Sequence, residues 1–172
     1  MATANRNLSE YNKEEIPNGA DFKIGIVVSE WNYSITSNLM KGAIEALTEN
    51  GVREENIHIR HAPGTFELPL AAQWMCEKGE VDGVVAIGVV IQGETRHFDF
   101  VCQGATQGLM EVNLKYDTPV TFCVLTDNTI QQSIDRSGGI HGNKGIECAV
   151  ACLKMIQLKK DINDANKIDL GY

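Results

Sequence analysis

The chain has 172 residues, 43% of them hydrophobic, with 23 acidic against 15 basic side chains and a net charge of −8. That length fits one domain with a full hydrophobic core, and the composition excludes disordered, collagen-like and low-complexity classes. A negative field repels phosphate backbones, which argues against nucleic-acid binding, and no uncharged stretch is long enough to cross a bilayer.

Residues 1–21 are polar and weakly periodic and close on Pro17, Asn18 and Gly19. They predict an N-terminal arm ahead of one α/β domain over 22–172. The β-branched run 22–29 predicts a first strand. Ile35, Leu39, Ala43 and Leu47 then recur every four residues and predict a helix over 34–50, stopped by Gly51. Residues 56–61 alternate as a second strand, and 68–78 predict a helix ended by Gly79. The nearly continuous apolar run 81–90 suits a strand buried on both faces. A long helix over 98–116, a strand over 119–125, a short helix over 129–137 and a longer one over 143–160 complete the chain. Strands alternating with helices of this length imply parallel βαβ units with right-handed crossovers. The expected architecture is a three-layer α/β/α sandwich, a flavodoxin-like four-stranded parallel sheet with helices on both faces.

Five cysteines lack framework spacing, and the first twenty residues contain no apolar leader run. Reduced thiols in the cytoplasm are the expectation. Cys148 and Cys152, four apart on a helical pattern, suit small core positions better than metal ligands.

In an open parallel sheet, ligands bind beyond the carboxyl ends of the strands. The four strand-to-helix loops there carry Trp31 and Asn32; Thr65, Phe66 and Glu67; Gly93, Glu94, Thr95 and His97; and, after the fourth strand, Arg136 and a glycine-rich turn running to Lys144. Trp31 suits either a hydrophobic staple on the first helix or a platform for a planar ligand. Gly93, Glu94 and Thr95 ahead of a helix suit an ordinary N-terminal cap or a small phosphate. His97 suits a surface position or proton transfer, and Arg136 an exposed charge or a bidentate phosphate contact. No G-x-G-x-x-G follows the first strand, and G-x-x-x-x-G-K-[ST], H-E-x-x-H, C-x-x-C and G-x-S-x-G are absent. Dinucleotide, nucleoside-triphosphate, zinc and hydrolase-elbow chemistries therefore lack their fingerprints.

Four colinear segments carry a more specific signal: GIVVSEWN from Gly25, APGTFELP from Ala62, AIGVVIQGETRHFDFVC from Ala86 and DRSGGIHGNKG from Asp135. Together they resemble the 6,7-dimethyl-8-ribityllumazine synthases over about 22–158. The resemblance implies condensation of 5-amino-6-ribitylaminouracil with 3,4-dihydroxy-2-butanone 4-phosphate, releasing phosphate and water, with no cofactor and no metal. It implies that Trp31, with Asn32 beside it, stacks on the pyrimidine. Phe66, Glu67 and the backbone around Thr65 would position the ring and ribityl chain, and Val90 and Ile91 would line the ring pocket. Gly93, Glu94 and Thr95 would hold the phosphate with Arg136 as counterion, and His97 would shuttle protons. Lys144 and Phe122 would complete the site, Phe122 from an adjacent subunit. Departures from the family pattern stand out: Gln92 replaces a common arginine or lysine, Val89 stands where others have a threonine or another residue, and Trp31 is larger than the common phenylalanine. The resemblance also implies a homopentamer, and the absence of an insertion before Asn143 implies a 60-subunit shell, with riboflavin synthase as a further partner. A non-catalytic flavin- or lumazine-binding protein and a shell-forming protein are the other readings of the same pocket. A pure binder needs neither His97 nor Arg136, and both are present.

Overall fold

The computed structural model describes residues 7–169; residues 1–6 of the expected arm and 170–172 of the expected domain lie outside it. Four strands, β1 (Ile24–Ser29), β2 (Ile57–Ala62), β3 (Gly83–Ile91) and β4 (Val120–Asp127), form one parallel sheet in the order β2-β1-β3-β4. The connecting helices are α1 (Tyr33–Glu49), α2 (Leu68–Glu77) and α3 (His97–Tyr116). After β4 come α4 (Ile130–Arg136), a small antiparallel hairpin of β5 (Ser137–Gly139) and β6 (Gly142–Asn143), and α5 (Lys144–Asp169).

Successive residues of each strand point to opposite faces, and this divides the core in two. Ile24, Ile26 and Val28 of β1, Val85, Ile87 and Val89 of β3, and Cys123 and Leu125 of β4 meet α1 and α5 on one side. Val27, Val84, Ala86 and Val124 meet Leu68 and Ala72 of α2 and Leu109 and Val112 of α3 on the other. Both faces of the central strands are therefore apolar, which explains their unbroken hydrophobic runs. The result is the expected three-layer α/β/α sandwich. Cys148 and Cys152 lie in the α1–α5 layer, both buried.

Three details differ from the sequence reading. Strands β1 and β3 begin two residues later than expected, at Ile24 and Gly83. Helix α5 continues past residue 160 to Asp169, because no glycine or proline interrupts it. The glycine-rich turn forms the hairpin β5–β6, two strands too short to show an alternation. The described part of the first 21 residues lies against its own chain: Leu8 N–H donates to the His141 carbonyl and Gly19 N–H to the Asn50 carbonyl. No helix among the described residues is long and apolar enough to cross a membrane.

Candidate active site at the carboxyl edge of the sheet

In the order β2-β1-β3-β4 the chain winds outward in one direction from β1 and in the other from β3. The crevice between the ends of β1 and β3 is thus the topological switch point, where an open α/β sheet leaves room for a ligand.

The loops after β1 and β2 extend the ladder past the strands. Glu30 N–H donates to the Ala62 carbonyl at 2.8 Å and Trp31 N–H to the Pro63 carbonyl at 3.4 Å. Asn32 then turns the chain with a left-handed backbone (φ 57°, ψ 43°), and its carbonyl accepts the first amides of α1 from Ile35 and Thr36. The turn leaves Trp31 73% exposed at the rim. Gly64 sits between Trp31 and Glu67: a methyl group there would lie 2.9 Å from Glu67 Oε2 and 3.6 Å from Trp31 Cδ1. Glycine is what lets these two side chains share one wall of the crevice.

The β2–α2 loop is pinned from below. Thr65 is buried and donates its hydroxyl to the Val89 carbonyl of β3 at 3.2 Å, occupying space that any side chain at Gly88 would claim. Its side chain therefore fixes the loop, while Phe66 and Glu67 face outward. The Phe66 ring lies on α3 against Gly104, with Cε2 at 2.5 Å from where a Cβ would stand. Val90 and Ile91, at the end of β3, are only partly buried and form the crevice floor.

Beyond β3, Gln92 N–H donates to the Asp127 carbonyl at 2.9 Å, tying this loop to the end of β4. Gly93, Glu94 and Thr95 are exposed, and no atom lies within 4 Å of a Cβ built at Gly93. Thr95 Oγ1 accepts the His97 amide at 3.4 Å, and the exposed His97 opens α3. A hydroxyl and main-chain N–H groups at the positive end of a twenty-residue helix suit a small anion.

Arg136 ends α4, half-buried, with NH1 donating to the Gln132 carbonyl at 2.9 Å. Thr129 caps that helix with a reciprocal pair to Gln132, and Ser133 Oγ donates to Asp127 Oδ2 at 2.7 Å, which fastens α4 to the end of β4. Lys144 opens α5 with Nζ 2.8 Å from Glu147 Oε1. Burial works to lower the Lys144 ammonium, but the hydrogen bond to Glu147 leaves its pKa above the ordinary value. Sequence reasoning passes over Glu147, because an acid three places after a lysine looks like a solvated helix pair.

Trp31, Asn32, Thr65, Phe66, Glu67, Val90, Ile91, Gly93, Glu94, Thr95 and His97 thus all belong to the carboxyl ends of β1, β2 and β3 or the loops that follow. Phe122 does not. It pairs with Ala86, five residues before the end of β4, which is about 17 Å from the rim. Its side chain packs partly buried on the α2–α3 side of that edge strand.

Comparison with known proteins places the chain beside one family. The family model described as 6,7-dimethyl-8-ribityllumazine synthase matches residues 21–160. A relative of that name from Flavobacterium johnsoniae is 57% identical over 160 residues, covering 93% of this chain and 84% of the relative. One from Christiangramia forsetii is 57% identical over 162 residues, covering 94% and 96%. One from Porphyromonas gingivalis is 53% identical over 160 residues, covering 93% and 99%.

Proposed function

The chain belongs to the 6,7-dimethyl-8-ribityllumazine synthase family, and from that premise we propose that the crevice between β1 and β3 is where it works. The enzyme condenses 5-amino-6-ribitylaminouracil with 3,4-dihydroxy-2-butanone 4-phosphate to give 6,7-dimethyl-8-ribityllumazine, phosphate and water, a step of riboflavin biosynthesis. The observation that carries the site assignment is the gathering of an aromatic platform, an acid and an open glycine loop with a histidine at one topological switch point.

Trp31 stacks on the pyrimidine, with Asn32, Phe66 and Glu67 fixing the ring and ribityl hydroxyls over the floor of Val90 and Ile91. The main chain at Gly93, Glu94 and Thr95 takes the phosphate. Arg136 and Lys144 supply the positive charge that an acidic chain otherwise lacks. The amine attacks the ketone carbonyl and expels water to form an imine; elimination of phosphate, tautomerisation and ring closure with loss of a second water follow. His97 moves the protons. Gln92 brings no charge where many relatives of this family carry a cation, so Arg136 and the helix end bear more of the phosphate binding. The chemistry needs no cofactor or metal.

Phe122 lies too far from its own rim to serve it, and among the described residues no strand pairs with the outer edge of β4. It therefore serves the crevice of a neighbouring copy in a homopentamer. The short turn before Asn143 suits twelve pentamers closing into a 60-subunit shell, a cytoplasmic assembly with room for riboflavin synthase as partner. Incubation with both substrates, followed by the rise of the lumazine chromophore, tests the reaction and is expected to succeed; no product at micromolar enzyme refutes it. Light scattering tests the assembly, and a species of pentamer mass alone overturns the shell.

A further inference from the structure

The hairpin β5–β6 has stems that end on the two cations assigned above to the substrate phosphate: Arg136 precedes it and Lys144 follows it. Its geometry therefore sets their spacing. Alone, so short a ribbon is unstable in water, and Gly138 and Gly142, at φ +115° and +81°, take conformations that make it looser still in isolation. Something outside the hairpin must hold it.

One support comes from α1. Asn143 Nδ2 donates to the Asn38 carbonyl at 2.8 Å, and Asn143 Oδ1 accepts the Gly145 amide at 2.8 Å. A second comes from α4, whose Asp135 carbonyl accepts the His141 amide at 2.9 Å, and a third from the far end of the sequence. Leu8 N–H donates to the His141 carbonyl at 2.8 Å, and Asn143 N–H donates to Ser9 Oγ at 2.9 Å across 134 residues. Asn7 Oδ1 accepts the Ser9 amide at 2.9 Å and closes a turn directly over Gly142. A Cβ at Gly142 would meet Asn7 Oδ1 and the amide nitrogens of Leu8 and Ser9, so the passage is open only over glycine. Two residues on, the Tyr11 hydroxyl donates to Glu49 Oε2 at 3.0 Å and accepts from Asn50 Nδ2 at 3.2 Å, anchoring the segment at the end of α1.

We propose that residues 7–11 are a clasp that positions the cationic end of the active site, with Ser9 as its positioning residue. Ser9 touches no substrate; it acts through the Asn143 amide on the hairpin and so on Arg136 and Lys144. The role rests on the reading of those two cations as the phosphate holders. Such a clasp gives polar residues that carry no chemistry of their own a share in substrate capture.

The test compares Ser9→Ala, Ser9→Thr and the pair Asn7→Ala with Ser9→Ala in the full chain. Loss of the Ser9 hydroxyl is expected to raise the KM for the butanone phosphate about fivefold, of the order one hydrogen bond supports. The KM for the ribitylaminouracil and kcat hold, and Ser9→Thr restores the original value. Hydrogen exchange at the Leu8 and Asn143 amides is expected to quicken while β1 and β3 stay protected. An unchanged phosphate KM with Ser9→Ala overturns the clasp, as does an equal rise in both KM values with a lowered Tm. Arg136→Ala is run alongside. If it too leaves the phosphate KM unchanged, the phosphate assignment fails and the positioning role falls with it; if it alone raises that KM, only the clasp is lost.

Discussion

His97 sits exposed on the first turn of α3, beside a loop whose main chain is open. A histidine so placed can give and take protons, a contribution of ~10²–10⁴ in rate, whereas holding two substrates together in good geometry is worth up to ~7–11 kcal/mol. His97→Ala should therefore slow kcat by about 10²–10⁴ and leave turnover measurable. Total loss of turnover with substrate binding intact by calorimetry would reverse that ranking. Ser29 raises a different question at the same scale. Its side-chain oxygen, at the buried end of β1, is the one such buried atom without a hydrogen-bond partner among the described residues. A buried orphan hydroxyl costs about 1–3 kcal/mol, and alanine removes it at nearly the same shape. Ser29→Ala is expected to raise Tm by about 2–12 °C; a lowered Tm would mean that the hydroxyl is bonded in solution. Trp31, Glu67 and His97 were legible in the sequence because polar loops seldom carry such residues at strand ends together. The anchoring role of the Thr65 hydroxyl was not, since a threonine in a loop looks alike whether it faces a ligand or a β-strand carbonyl.

The strands and α1 to α3 were legible as elements because burial on two faces or one leaves a period in the sequence. The hairpin β5–β6 leaves none. It is held by contacts with residues 7–9 and α1 as well as α4, and the long-range ones leave no local pattern. The junction of α1 and α5 is likewise written in two glycines. A Cβ at Gly42 would strike the Asn143 carboxamide, and one at Gly145 would strike the Leu39 carbonyl oxygen, a main-chain atom fixed inside a helix. Neither side can yield there without parting the helices. Gly145→Ala is accordingly expected to destabilise the fold by about 3 kcal/mol, the upper range for overpacking, read as a lower urea midpoint with unchanged slope. An unaltered midpoint would show that α1 and α5 do not approach so closely. Gly93→Ala, which meets nothing within 4 Å, serves as the contrasting substitution for stability.

At the scale of the molecule, a net charge of −8 must coexist with capture of an anion. On the proposed assignment Arg136, Lys144 and the start of α3 supply the positive charge for it, the two cations bracketing a single hairpin. The rest of the charge is spread outside a core that also buries thiols in both layers. Burial pushes the Cys76 thiol up to about 11 and the Cys152 thiol to about 12, from an ordinary 9.0. Below pH 9 both thiols are protonated whether the chain is folded or not, so their burial contributes its full stability. Between pH 9 and about 11 to 12 the unfolded chain releases these protons and the native state keeps them, so stability falls as pH rises. Urea midpoints are therefore expected to hold steady from pH 7.5 to 8.5 and to drop progressively above 9. Tyrosines and lysines titrate in the same range, so the assignment needs a comparison: the Cys152→Ala variant should show a shallower fall than the parent chain. Equal slopes in the two proteins above pH 9 would mean that the Cys152 thiol is not held protonated by its place between α5 and the sheet.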